Sequence, residues 1–343
     1  MATLNEHAHR RHAIGAEEDV GALRRAVARM SAGQNALREG VAELVATEMG
    51  TNLLRHAHPG GYVLARKAGD GIELISVDHG PGITTGTLAP PAGTAPPVAP
   101  PRPGGSGLKA GLNVVRRNAA EFDWYATRRG TVVYARLGAH APAGDAGWRY
   151  GGVNVPLGGD GESGDAWAVA PGRPTAALVV DGLGHGPGAA AAARAAITTF
   201  EQAPVTDLDR FVRLTHEAMR GTRGGVLGAC LIDPGRGELT YAAVGNITGR
   251  VITGARSVHL LDRPGTLGTH LPFPTVRLQR CPFEPGSSLI LVSDGIRSGW
   301  TVDDHPRLLD HHPAVIAAVL HREYGRPTDD ATVLVVRQVA HMA

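Results

Sequence analysis

The chain has 343 residues, with 34 Lys+Arg against 32 Asp+Glu and a formal net charge of +2. At about 100–200 residues per domain this length predicts two domains, and the even charge balance gives no electrostatic case for a nucleic-acid binder, which usually shows a clustered basic excess. Apolar residues make up 43% and aromatic residues only 4%, so the predicted cores are rich in Val, Leu and Ala, while two cysteines, Cys230 and Cys281, exclude a multi-disulfide framework.

The first twenty residues carry no apolar h-region and no run of 18 apolar residues occurs, which predicts a cytoplasmic protein that neither enters nor spans a membrane. Residues 12–65 read as helices followed by a strand. "DVGALRRAVARM" and "NALREGVAELVATEMGTNLLRHA" have helical apolar spacing, with Leu37, Val41, Leu44, Val45, Met49, Leu53 and Leu54 in line in the second. "HPGG" stops that helix, and "YVLARKAGDGIELISVDHG" reads as two strands about a Gly-Asp-Gly turn. Residues 84–105 hold seven of the 24 prolines, between Pro90 and Pro103, and suit neither helix nor sheet. "GLKAGLNVVRRNAA" then predicts a helix with a glycine-rich start, and "EFDWYATRRGTVVYARL" a closing hairpin. The predicted division is 12–137 for the first domain, 138–149 for a linker and 150–338 for the second. The second domain reads as short β-rich runs separated by two helices, "PGAAAAARAAITTFEQ" and "DLDRFVRLTHEAMRGT". That pattern predicts a sheet-on-sheet core with covering helices, so the whole chain is of the α+β class.

In the first domain Glu48 and Asn52 lie four apart on a helix and so share a face. Glu can accept a hydroxyl proton, and an Asn carbonyl oxygen suits a hard cation, although the pair by itself most often marks a solvated face. "DHGPGI" follows a strand and puts an acceptor, Asp78, before Gly80 and Gly82; by itself it is an ordinary Asp-Gly turn. "GGSGLKAGL" brings Gly105, Gly107 and Gly111 to the start of a helix, where free N–H groups and the helix dipole favour phosphate. The order of these parts, ending in "RGT" at Thr131, resembles the GHKL, or histidine-kinase-type, ATPase superfamily over residues 12–137. Within it the chain is most similar to the small serine kinases of sigma-factor switches, RsbT-like and RsbW-like, with its tail closer to the RsbT-like branch. The resemblance implies a GHKL-type α/β sandwich that binds Mg²⁺-ATP. It also implies Asn52 on the metal, Asp78 on adenine, Thr131 near the adenine pocket and Glu48 as base.

The second domain sets aspartates at strand ends: Asp165 in "ESGDAW", Asp181 in "VVDGLGHG", Asp294 in "LVSDGI" and the pair Asp329–Asp330 in "DDATVLVV". Each of these taken alone is most simply a turn residue. Taken together, converging carboxylates repel and call for divalent cations, and oxygen-only ligands favour Mg²⁺ or Mn²⁺ over Zn²⁺. Two such ions could activate a water against a phosphoester. His185 stands beside the set as a general acid or, more simply, a structural or exposed residue. The ordered motifs resemble the PPM-type metal-dependent serine/threonine phosphatases, most similar to the SpoIIE- and RsbX-like branch, over residues 150–338. That resemblance implies a β-sandwich flanked by helices. It implies two Mn²⁺ or Mg²⁺ ions held by Asp181, the Gly182 carbonyl, Asp294 and Asp329, with Asp165 as a further ligand or in support. Asp330 is expected to orient its strand, and the "GNITGRVI" turn to be structural.

The combined expectation is a bifunctional regulator of a sigma-factor or stressosome partner switch. A serine/threonine kinase half and a phosphatase half would act on STAS-domain proteins, with a sigma factor as a further partner. Two alternatives stand beside it. One is a phosphatase regulated by a non-catalytic, ATP-sensing GHKL domain. The other is a non-enzymatic interaction module of the anti-sigma type.

Overall fold

The computed structural model describes residues 8–57, 60–80, 107–138, 147–202, 204–269 and 273–338. The chain divides into two compact units, one of Arg10–Ala141 and one of Pro142–Ala343 together with Met1–His9.

The first unit runs β1 (Arg10–Ile14), α1 (Glu17–Ser31), α2 (Val41–His56), β2 (Gly61–Ala68), β3 (Gly71–Asp78), α3 (Gly107–Asn118), β4 (Glu121–Thr127) and β5 (Gly130–Leu137). Its strands form one antiparallel sheet in the order β1-β2-β3-β5-β4. Residues 12–14, which open the stretch read as helical, instead belong to β1, an edge strand paired to β2. The following helix starts where the Asp19 carboxylate accepts the N–H groups of Gly15 and Ala16, at 2.8 and 2.9 Å. The second predicted helix starts later than its apolar spacing suggested. Gly40 has a φ of 75°, which a helix interior cannot accommodate, so α2 begins at Val41. Leu37 lies outside the helix but still packs on its core. The two predicted strands meet at a two-residue Gly69-Asp70 turn, with Ala68 opposite Gly71. Val20, Leu23, Val45, Met49 and Leu53 from the helices bury against Val63, Leu74, Val133 and Leu137 from the sheet.

The second unit contains β6 (Trp148–Val155), β7 (Asp165–Ala170), β8 (Thr175–Gly182), α4 (Pro187–Gln202), α5 (Leu208–Ala218), β9 (Gly225–Asp233) and β10 (Glu238–Val244). It continues through β11 (Thr248–Thr253), β12 (Arg256–Leu260), β13 (Gln279–Pro282), β14 (Ser288–Val292), α6 (Pro313–Tyr324) and β15 (Ala331–Gln338). Two five-stranded antiparallel sheets, β13-β10-β9-β8-β7 and β12-β11-β14-β15-β6, face each other. Trp148, Trp167, Val179, Tyr241, Leu289, Leu291 and Leu334 fill the space between them. Helices α4 and α5 cover the outer face of the first sheet through Ala193, Ile197, Phe211 and Val212. Asp207 caps α5 by accepting the Arg210 N–H at 3.1 Å. Helix α6, absent from the sequence reading, packs on β15 and β6. It is apolar and buried nearly all round, from Pro313 to Leu320, so it lacks the polar face that marks an amphipathic helix. The chain's opening segment joins this unit: buried His9 donates its N–H to the Asn154 carbonyl on β6, at 2.7 Å. No helix among the described residues is long and apolar enough to cross a membrane.

Candidate active site

The sandwich delivers carboxylates from both sheets to one end. Asp181 closes β8, directly opposite Asp165 at the start of β7 in the antiparallel register. Asp294 follows β14 and Asp329 precedes β15, its partner in the facing sheet. Asp181, Asp294 and Asp329 line one cleft of about 450 Å³ with Leu183, Gly184, Asn246 and Asp262 among the other wall residues.

The two Asp-Gly pairs differ: Asp181-Gly182 lies within β8, while Asp294-Gly295 forms the centre of a turn in which the Ile296 N–H donates to the Ser293 carbonyl at 3.1 Å. Neither Gly182 nor Gly295 has a positive φ. Each is glycine because backbone approaches it: a Cβ on Gly182 would lie 2.2 Å from the Ala189 carbonyl oxygen, and one on Gly295 1.9 Å from that of Asp330. Gly182 ends β8 against the start of α4, and its N–H donates to the Gly164 carbonyl at 3.0 Å. The glycines therefore let strand, helix and neighbouring strand close up around the carboxylates.

Burial and crowding act together on these groups. Burial pushes the Asp181 carboxyl far above the ordinary range, and Asp165, Asp294 and Asp329 push it further the same way. Asp165 is raised by burial first and by Asp330 and Asp294 next, against the lowering effect of the Ser293 hydroxyl. Asp329 is raised by burial and by Asp294, and His185 is near enough to pull it the other way. His185 itself is exposed and lies outside the cleft lining.

Asp165 is not a cleft residue. It is 1% exposed and held behind Asp181: the Ser293 hydroxyl donates to its Oδ2 at 2.6 Å, and Ser293 Oγ accepts the Thr332 N–H at 3.0 Å. Asn154 Nδ2 donates to the Asp165 carbonyl at 2.8 Å. Asp330, also buried, spans the loop ahead of β7, accepting the Leu157 N–H at 2.6 Å and the Gly164 N–H at 2.7 Å. Its two oxygens fix the backbone of that loop rather than of its own strand.

Sequence reasoning missed three residues. Asn246, in a turn read as purely structural, lines the cleft and donates from Nδ2 to Asp294 Oδ2 at 2.9 Å. Asp262 lines the cleft from the loop after β12. Ser293 was passed over beside Asp294, although a hydroxyl immediately before a strand-end aspartate was the available signal.

The donor set is all oxygen, which fits a hard divalent cation such as Mg²⁺ or Mn²⁺. Among the described residues no three His, Cys, Asp or Glu side chains close on one point as a bound ion demands.

Comparison with known proteins follows the same half of the chain. A family model described as Stage II sporulation protein E (SpoIIE) matches residues 171–339. A chain from a structure titled as the bacterial stressosome, "a modular system that has been adapted to control secondary messenger signaling", is 31% identical. The match covers 55% of this chain and 99% of that one, with a TM-score of 0.51. The chain belongs to the SpoIIE family. Its second unit is a SpoIIE/PPM-type phosphatase domain. RsbX in complex with magnesium is 20% identical over 55% of this chain and 94% of its own, with a TM-score of 0.47. The PP2C phosphatase domain of SpoIIE with a fragment of its regulatory domain, from Bacillus subtilis, is 16% identical over 80% of each chain, with a TM-score of 0.49. No curated protein matches the chain. The SpoIIE match includes Asp181, Gly182, Asp294 and Asp329, and begins after Asp165.

The first unit assembles two small groups from its sequence-predicted residues. Glu48 and Asn52 are half-buried on α2, and Gly111 of α3 packs onto them. A Cβ there would lie 2.7 Å from Glu48 Oε2 and 3.0 Å from Asn52 Oδ1. The Asn52 side-chain nitrogen is buried and among the described residues has no hydrogen-bond partner. At the end of β3, Asp78 Oδ1 accepts the Gly80 N–H at 2.8 Å and the N–H of buried Thr131 on β5 at 3.1 Å. Gly80 packs on the end of α2, near His56 and Ala57. Gly107 opens α3, while Gly82 and Gly105 lie outside the described residues.

Proposed function

We propose that the chain regulates a sigma-factor or stressosome partner switch. In this reading its SpoIIE-type unit removes phosphate from serine or threonine of a STAS-domain protein, and its first unit binds Mg²⁺-ATP and phosphorylates such a protein. The observation that carries the phosphatase reading is the meeting of Asp181, Asp294 and Asp329 in one cleft from strands of both sheets. Asp181, the Gly182 carbonyl, Asp294 and Asp329 would hold two Mn²⁺ or Mg²⁺ ions. When bound, such ions activate water and neutralise phosphate charge. The chain's own residues do the rest. Asn246 fixes one Asp294 oxygen by donating to it from the cleft wall. Asp165, bonded to Ser293, stands opposite Asp181 in the sheet and adds a fourth carboxyl to the cluster. Likeness to a stressosome chain supports the partner class.

The ATP site rests on the pairing of Glu48 and Asn52 beneath Gly111, and on Asp78 held beside Thr131. In this reading Asn52 faces the metal, Asp78 and Thr131 face adenine, and Glu48 takes the hydroxyl proton. One observation favours a second reading, in which this unit senses ATP without transferring phosphate: α3 packs through Gly111 onto Glu48, the residue that would take the proton.

A phosphoserine STAS protein with Mn²⁺ tests the first half. The wild-type chain should release phosphate and Asp181→Asn should not, and an effect of ATP on the rate would show the units to be coupled. Absence of release from the wild type would overturn the phosphatase reading. Radiolabel transfer from ATP to the unphosphorylated protein, lost in Glu48→Ala, would select the kinase over the sensor.

A further inference from the structure

We propose that Arg223 is a specificity-determining residue that pairs with an acidic side chain flanking the phosphorylated serine or threonine of a protein substrate. The proposal rests on the phosphatase reading above and extends it from the reacting phosphate to the surrounding chain.

Arg223 precedes β9 at the edge of the carboxylate cleft. Its backbone is tied to the loop that follows Asp181: the Gly224 carbonyl accepts the Leu183 N–H at 2.9 Å, and Gly225 stands opposite Gly182 in the sheet. Its side chain lies across that loop. Nη1 is 3.2 Å from where a Cβ of Gly184 would stand, and Nε is 2.6 Å from that of Gly188. Gly184 and Leu183 line the cleft, so the guanidinium rests on a glycine floor at the rim. It is exposed, and among the described residues it has no carboxylate partner.

The cleft walls carry Asp181, Asp262, Asp294 and Asp329 and no Lys or Arg. An incoming phosphopeptide thus meets carboxylates on the cleft walls, and Arg223 offers a cation at the rim above Gly184. Asp262 is exposed on a different loop, so the rim is polar in charge: one loop offers a cation, the other an anion. A guanidinium recognises carboxylate by a two-pronged, charge-assisted hydrogen bond. A segment with its acidic residue toward Arg223 is favoured in one direction across the cleft, and like charge at that position is rejected.

The test uses the full chain with Mn²⁺ and three phosphoserine peptides that differ in one flanking residue: Glu, Gln or Lys. Rates are divided by that for p-nitrophenyl phosphate measured on the same enzyme. The wild type should prefer the Glu peptide over the Lys peptide by about fivefold to tenfold in kcat/KM, mostly through KM. Arg223→Glu should invert that order, and Arg223→Lys should keep the order with a smaller ratio. A structural role for Arg223 would lower all three peptides together and leave their ratios unchanged, which overturns the proposal. Fluorescence anisotropy of the same peptides on the same variants reads the preference without turnover. If no substrate is hydrolysed, the phosphatase reading falls, and equal binding of the Glu and Lys peptides by wild type and Arg223→Glu overturns this proposal separately.

Discussion

The two units place their candidate sites in different kinds of ground. In the SpoIIE-type unit the carboxylates sit at the ends of paired strands, Asp181 opposite Asp165 and Asp294 beside Asp329, with buried Ser293, Thr332 and Asp330 bracing them. In the first unit Glu48 and Asn52 sit on a helix face, Asp78 in a short turn, and further predicted members lie outside the described residues. Strand ends in a sandwich inherit the rigidity of two ladders and one core. A helix-face site inherits one helix and depends on loops to complete it. Charge density differs in consequence: the first arrangement concentrates carboxylates where burial raises them, and such a cluster is stable only when something neutralises it.

The largest test of this contrast is Asp181→Asn. Removing a cleft carboxylate should lower phosphate release by at least the roughly 10–100-fold that loss of a supporting residue causes at metal sites. ATP binding, measured by titration with a non-hydrolysable analogue, should be unchanged. Loss of both together would mean that the two sites are not separate.

Ser293→Ala comes next. It leaves a buried carboxyl, Asp165, without its hydroxyl donor, and should destabilise the chain by about 1–3 kcal/mol in denaturant unfolding. Activity should fall about tenfold, with a weaker apparent Mn²⁺ affinity. Unaltered Mn²⁺ dependence would make Asp165 a purely structural residue.

A pH series gives a smaller effect. Asp165 and Asp181 hold their protons in the fold where the unfolded chain has lost them. Their contribution to stability therefore falls as pH rises from about 4, the ordinary carboxylate value, toward the about 8 of Asp165. Chelator-treated protein should melt at progressively lower temperature between pH 5 and pH 8. Mn²⁺ should restore more of the loss at pH 8, because cation and proton compete for the same oxygens. A melting temperature independent of pH in chelator would remove the charge cluster from the account.

Gly111→Ala is the mildest change and bears on the other site. Alanine in the helix favours folding by about 1 kcal/mol, while its Cβ must displace the flexible ends of Glu48 and Asn52. Stability should hold and affinity for Mg²⁺-ATP should drop a few-fold. Undiminished affinity would move the nucleotide away from this helix face.

The contrast also explains what the sequence made legible. Asp181 and Asp294 stood out because each ends an apolar strand and precedes glycine, a pattern local in the chain. Even there the local explanation changed in part: Gly182 lies in a strand and serves close backbone approach, while Gly295 sits in a turn and is pressed by backbone as well. Asn246 and Asp262 were not legible, because they reach the cleft from elsewhere in the fold, and a side chain's destination across a sandwich leaves no local mark. Asp165 shows the reverse: its motif was readable, but its position behind Asp181 depends on a bond to Ser293, 128 residues away. Helix α6 was hidden by burial nearly all round, and β1 by being a short edge strand set beside a helix. Apolar periodicity reports one-sided burial, and both elements lack it.

The most direct measurement of the central claim is a Mn²⁺ titration of the full chain without nucleotide, followed by calorimetry and by the electron paramagnetic resonance of the free ion. The account predicts two ions bound per chain, with binding sharply weakened in Asp181→Asn and intact in Asn52→Ala. Equal Mn²⁺ binding by wild type and Asp181→Asn would contradict it, since the strand-end carboxylates would then not be the residues that hold the metal.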